Sequence, residues 1–267
     1  MAGFFSSTHN QYPEPIKPEQ DYTYCTGSID NISFSGLMQF EKCPYSLFLN
    51  KVSQIPGVSG AAANRGSTIH DMLEKYVKGE IDETEIEWKL LKSATYHKPL
   101  IDTLRKDYEQ GLVIPEFKYA INTKLKPVEW DATNMWHRGA IDVVLFESSK
   151  QKRATIFDYK TGQTGKTVIH KSQLMLYALM MFIHFPKLEF IQSSPIYLDH
   201  KKALFYNNFT RPDFDLFWPR WESRFRQVTE ATIFPPRPNK FNCLWCQHKA
   251  PQEELNQIEP ACEWGVF

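Results

Sequence analysis

Asp142, Asp158 and Lys160 are the residues whose types and spacing could do chemistry. Asp142 lies in the run Arg138–Glu147, and the other two lie in Ala154–Gly162. Both runs are rich in β-branched and aromatic residues, and the polar break Ser148–Arg153 between them gives the pattern of an antiparallel hairpin. With Glu147 facing Ala154, Asp142 pairs with Tyr159; a shift of one residue puts it opposite Asp158 or Lys160. Strand alternation places Asp158 and Lys160 on one face and Phe157 and Tyr159 on the other. Two neighbouring carboxylates repel each other unless a cation sits between them, which favours Mg²⁺ or Mn²⁺ with oxygen ligands. A lysine beside such an ion can position or deprotonate a water and offset charge on a phosphate. The chemistry expected is metal-assisted hydrolysis of a phosphodiester. The plainer alternative is that both aspartates are solvated residues on the outer face of a half-exposed hairpin.

The elements that must position these groups come from a chain of 267 residues, 42% hydrophobic, enough for one large or two small domains. Its 31 basic and 31 acidic residues balance, so no global field gathers nucleic acid and any DNA contact must be local. No apolar run approaches the ~20 residues that span a bilayer, and the longest, Leu174–Phe185, includes His184. No membrane association is expected. The N-terminus has no basic segment followed by an apolar core, so a secretory signal is not expected and a reducing cytosol is. Five cysteines, unevenly spaced, then read as metal ligands or buried thiols rather than a disulfide framework.

Residues 1–30, with Pro13, Pro15 and Pro18, read as an extended arm lying across the domain or as a mobile segment. Ser35–Cys43 reads as a short helix with a capping serine, ending near Pro44, and Tyr45–Leu49 as a further turn. After a loose segment from Gly57 to Asn64, Arg65–Thr68 opens a helix with apolar positions Ile69, Met72, Leu73, Tyr76 and Val77, stopped by Gly79. His70 and Glu74 stack on its flank. A lone histidine there is ordinarily structural, but beside the carboxylates His70 is a candidate third ligand or phosphate contact. Residues 82–112 read as helical up to Gly111, and Val113–Ile121 as a strand. The polar loop Gln163–Lys171 precedes Ser172–Ile183, a helix apolar nearly all round and so buried against a sheet. Gln173 and Tyr177 lie one turn apart on it, need polar partners, and sit where a helix N-terminus could take a phosphate. Phe190–Leu198 and Ala203–Phe209 read as another hairpin, followed from about Asp213 by an amphipathic helix and a tail with Cys243, Cys246 and Cys262. The fold class expected is α/β (α+β), with a mixed sheet flanked by helices.

Taken in order, Ser33-Phe34-Ser35 to Cys43-Pro44, Arg65-Gly66 to His70 and Glu74, Pro115-Glu116, Gly139-Ala140-Ile141-Asp142, Asp158-Tyr159-Lys160-Thr161-Gly162 and Gln173-Leu174 to Tyr177-Ala178 resemble the PD-(D/E)XK nuclease superfamily. Within it they are similar to RecB-type exonuclease domains and CRISPR-associated adaptation nucleases. The resemblance implies a restriction-endonuclease-like core over 31–267. His70, Asp142, Asp158 and the Tyr159 carbonyl would bind Mg²⁺ or Mn²⁺, Lys160 would be catalytic, Gln173 and Tyr177 would orient DNA and nucleophile, Glu116 would be an auxiliary acid and Arg65 a DNA contact. It also implies a [4Fe–4S] cluster on Cys43, Cys243, Cys246 and Cys262, which would pin residues 235–267 onto Cys43. Here Cys262 comes sixteen positions after Cys246, where the family's last cysteine follows within a few. Zinc, with His248 replacing a thiolate, or no metal therefore stays open, and Cys25 is a free thiol. The activity implied is a metal-dependent DNA exonuclease acting on single-stranded DNA or duplex ends in recombination, repair or processing. A recombination or replication protein, or a second copy of the chain, would be its partner. The alternatives are a catalytically silent DNA-binding scaffold and a site-specific endonuclease.

Overall fold

The computed structural model describes residues 21–55, 57, 60–162, 167–201, 206–249, 262 and 264. The chain divides into two compact units, Ser59–Ser223 and a second made of Met1–Val58 with Arg224–Phe267.

The first unit carries a five-stranded sheet in the order β1 (Val113–Ile121), β2 (His137–Phe146), β3 (Arg153–Lys160), β4 (Phe190–Tyr197), β5 (Asn207–Thr210). β3 and β4 are parallel and the other neighbours antiparallel, so the sheet is mixed and the fold α/β, as expected. The parallel pair needs a crossover, which helix α5 (Thr167–His184) supplies. In the β2–β3 hairpin Phe146 faces Ala154, one residue from the expected Glu147–Ala154 pairing. Apolar alternation fixes the register here, and Glu147 instead closes the turn, its N–H donating to Arg153 O at 3.1 Å. The ladder stops at Val143–Phe157, which leaves Asp142 level with Asp158.

Helices α3 (Ala61–Val77) and α4 (Ala94–Glu109) cover one face. Ile69, Leu73, Tyr76 and Val77 pack with Ile101, Leu104, Val143, Phe157, Tyr159 and Ile196 in one core. α3 starts four residues earlier than expected, because Ala61-Ala62-Ala63 have the strongest helix propensity. Residues 82–93 hold only a 3₁₀ turn, Trp88–Leu90, ahead of α4. α5 begins at Thr167, inside the stretch expected to be loop, and Leu174, Leu176, Ala178, Leu179, Met180 and Met181 are all buried.

In the other unit, α1 (Phe34–Lys42) is capped by Ser33, whose Oγ accepts from the Gly36 N–H at 3.2 Å, rather than by Ser35. α2 (Pro44–Lys51) follows with proline at its first turn, where the missing N–H costs nothing. α6 (Arg211–Thr229) contains the division between the units, and α7 (Lys240–Leu244) lies in the tail. Phe40 and Phe48 pack on Phe234, and Arg224 grips both oxygens of Glu41 at 2.6 and 2.9 Å. Residues 21–30, the described part of the expected arm, are joined to their own unit. Cys25 is fully buried, Thr26 bridges to Ile233, and the Gly27 N–H donates to Thr232 O at 3.0 Å. The rest of the expected arm, 1–20, lies outside the described residues, as does the tail from 250 onward apart from Cys262 and Trp264. Among the described residues no helix is long and apolar enough to cross a membrane.

Candidate active site

Asp158 is 2% exposed, so it is not a solvated residue on an outer face. Its Oδ2 lies 2.5 Å from Lys160 Nζ, on the shared face that strand alternation requires. Nζ also donates to Gln173 Oε1 at 2.9 Å, and Gln173 Nε2 donates to the Tyr177 hydroxyl at 2.7 Å. Because Gln173 and Tyr177 are one helical turn apart, a single face of α5 carries the polar chain onward from β3. It supplies partners for the half-buried Gln173 and the buried Tyr177.

Asp142 is held from two sides. Its Oδ2 accepts the Tyr159 N–H at 2.6 Å, taking the place of a ladder bond where the strands part, and its Oδ1 lies 3.2 Å from His70 Nδ1. The His70 ring stands edge-on to the Tyr159 ring at 5.7 Å. Burial alone would lower the His70 pKa, but the hydrogen bond and charge of Asp142, with the charge of Asp158, outweigh it and raise it. Glu74, one turn further along α3, is tied to Lys78 at 2.5 Å.

Glu116 lies between Pro115, paired with Val143, and Phe117, paired with Ile141; it is level with Asp142 but outside the ladder. Its φ is +46°, in the left-handed region that a side chain other than glycine rarely takes. The break swaps faces along β1. Val113 belongs to the α3–α4 core, whereas Phe117 and Tyr119, of the same parity, meet His184 and Tyr177 of α5. Burial, together with the charges of Asp142 and Glu74, raises the Glu116 pKa.

Burial and the Asp142 charge likewise push the Asp158 carboxyl up, against the pull of Lys160 and His70. The partner of Asp158 Oδ2 is Lys160 Nζ. Asp158 lies buried beside Asp142, Glu116 is level with Asp142, and the donor set of Asp142, Asp158, Glu116 and His70 suits a hard divalent cation. Among the described residues, however, no three or more His, Cys, Asp or Glu side chains are gathered closely enough to hold one. Asp142 has both oxygens engaged.

The guanidinium of Arg65 is committed elsewhere. It makes a fork to Asp199 at 2.9 and 2.6 Å and a short bond to the Leu90 carbonyl. The Asp199 side chain is 2% exposed and also accepts the Gly162 N–H at 2.7 Å. His200 Nε2 lies 2.8 Å from Gly162 O. Together they tie α3 and the end of β4 to the residues just after Lys160. In the sequence Asp199 falls in the turn between Phe190–Leu198 and Ala203–Phe209. The one available signal was a carboxylate directly following the apolar strand end Ile196-Tyr197-Leu198.

In the other unit Cys43, Cys243, Cys246 and Cys262 line one cavity with Ser46, Arg237 and Trp264. The Arg237 N–H donates to Cys43 Sγ at 3.3 Å. Burial raises the Cys43 thiol and pushes the Cys262 thiol up to about 11. All five cysteines are free, and the four around the cavity do not close on one point. His248 is fully buried.

Among solved structures the chain is similar to a Eubacterium rectale protein provisionally named an exonuclease, 14% identical, with a TM-score of 0.50 over 84% of this chain and 89% of that one. At that identity the likeness speaks for the fold alone. SSO0001 is 15% identical over 90% of both chains, with a TM-score of 0.40 that bears on nothing further. No curated protein matches the sequence. The PD-(D/E)XK nuclease superfamily model matches residues 31–250, most of the chain, and together with the carboxylate and lysine site on β2 and β3 this identifies the chain as a member of that superfamily.

Proposed function

We propose that this chain is a divalent-metal-dependent deoxyribonuclease that removes nucleotides from DNA ends. The observation carrying this reading is the line from Asp158 through Lys160 and Gln173 to Tyr177, set beside Asp142, His70 and Glu116. Asp158 and Asp142, with His70 and the Tyr159 carbonyl, would hold Mg²⁺ or Mn²⁺, which would polarise the phosphate and the attacking water. The contact between His70 Nδ1 and Asp142 Oδ1 is one that a shared ion would replace. Lys160 Nζ carries three donors, and with Asp158 and Gln173 against it the ammonium stays fixed and can offer a proton to a phosphate oxygen or orient the water. The Tyr177 hydroxyl accepts from Gln173, and its own O–H would be directed to the nucleophile or the DNA backbone. Glu116 is an auxiliary acid.

The test uses end-labelled linear DNA and closed circular DNA with Mg²⁺ or Mn²⁺, with and without chelator. The linear DNA is expected to shorten from its ends while the circle stays intact, and chelator is expected to stop the reaction. Lys160→Ala is expected to lower the rate at least about 100-fold, the usual loss for a proton-handling group. Discrete fragments from the circle would favour the site-specific endonuclease, and a parent protein inert in both metals would favour the silent scaffold.

For Cys43, Cys243, Cys246 and Cys262 the reading is a [4Fe–4S] cluster, supported by donor type and by the cavity they share. Anaerobically purified protein should show a visible absorption that dithionite bleaches, with iron and acid-labile sulfide in equal amounts. Colourless protein containing zinc would favour a zinc site.

A further inference from the structure

The excursion from Asn122 to Trp136 between β1 and β2 is a built structure. The Val128 N–H donates to Ala120 O at 3.0 Å and the Trp136 N–H to Ile121 O at 2.8 Å, while Ala132 N–H reaches Glu129 O at 3.1 Å and Met135 N–H reaches Ala132 O at 3.0 Å. Asn122 Oδ1 accepts from the N–H groups of Lys124 and Lys126 at 2.9 and 3.1 Å. On this frame Trp130 is 38% exposed, whereas Trp136 and Trp218 are buried against each other. A core role therefore does not account for Trp130.

Two cations border its ring. The Arg138 guanidinium is 4.7 Å from the ring centroid and donates to the Trp130 carbonyl at 3.2 Å, and Lys118 Nζ is 5.8 Å from the centroid. Lys118, Lys124 and Lys126 are exposed, as are the acidic Glu129 and Asp131 on either side of the indole. Lys118 stands two residues from Glu116 on β1, and Arg138 stands four from Asp142 on β2. At ~3.3 Å per residue the indole's neighbours lie roughly 7–13 Å along the same two strands from the carboxylates. An exposed indole with cations at its rim is the combination that holds single-stranded nucleic acid, the ring stacking on a base and the cations meeting phosphates.

We propose that Trp130, Lys118 and Arg138 form a stacking platform for a single-stranded DNA tail on its way to the candidate active site. This rests on the nuclease reading above and adds to it the form of the substrate. The experiment measures binding of labelled oligo-dT and of a blunt hairpin duplex by fluorescence anisotropy, in chelator so that nothing is cut, with metal-dependent cleavage assayed separately. Trp130→Ala is expected to weaken oligo-dT binding about 5- to 100-fold, the worth of one base–aromatic stack, and to change duplex binding less than about 2-fold. Trp130→Phe is expected to keep most of the affinity. Lys118→Gln is expected to reduce the salt dependence of oligo-dT binding by about 0.7 in log–log slope. If Trp130→Ala does not fold, the Phe and Gln variants still carry the test. Parental oligo-dT affinity in Trp130→Ala, or an equal loss for oligo-dT and duplex, overturns the platform while leaving the nuclease reading in place if the parent cuts DNA. A parent that neither binds nor cuts DNA overturns both.

Discussion

Asp158 and Lys160 set the electrostatics of the site. The folded state raises the Asp158 pKa above its unfolded value, so the stability tied to it is fully present below the ordinary carboxylate range and is lost as pH rises through the raised value. In chelator the protein is therefore expected to lose thermal stability on going from pH 4 to pH 7, and Mg²⁺ or Asp158→Asn is expected to flatten that slope; melting curves across pH check it. The pairing of Asp158 with Lys160 was legible because two residues apart on a strand always means one face. The convergence of Asp142 was legible only to within one residue of register. The commitment of Arg65 to Asp199 was not legible, since the partners lie 134 residues apart in a chain with no periodic pattern linking them.

At the scale of elements, close packing of strand on strand decides what the sheet tolerates. A Cβ on Gly139 would fall 2.5 Å from the Tyr119 hydroxyl, and Tyr119 is fully buried with its hydroxyl 3.3 Å from His137 Nε2. Gly139→Ala is therefore expected to cost about 1–3 kcal/mol through overpacking, seen as a lower denaturant midpoint. The clamp of α3 on the end of β4 carries its own pH dependence. Burial would raise the Asp199 carboxyl, but Arg65 and the Gly162 N–H lower it to about 2. Its stabilisation is present above the unfolded carboxylate pKa and fades as pH falls toward 2, a contribution of about 2 kcal/mol. Asp199→Asn should remove that part of the acid sensitivity, measured by unfolding between pH 5 and pH 2. Helix interiors were legible from apolar spacing, but the starts of α3 and α5 were not. The first depends on three alanines that pattern reading passes over, and the second lies in a polar stretch that the buried body of α5 holds helical.

Over the whole molecule, the mixed sheet and the covering helices were legible because strands and helices alternate in an order that few topologies satisfy. The burial of Cys25 and the bridge of Thr26 to Ile233 were not, since the aperiodic stretch 21–30 gives no sign of which of its residues will join the folded unit. The left-handed backbone at Glu116 had no mark in sequence either. A backbone held there against its preference costs about 1–3 kcal/mol, and like charges press on the same residue. Glu116→Gly should then raise the melting temperature by roughly 2–4 °C once the flexibility of glycine in the unfolded chain is deducted, while turnover falls. Heat resistance and speed would thus pull this position in opposite directions. A screen that rewarded only survival on heating would discard the glutamate early and deliver a sturdier, slower protein.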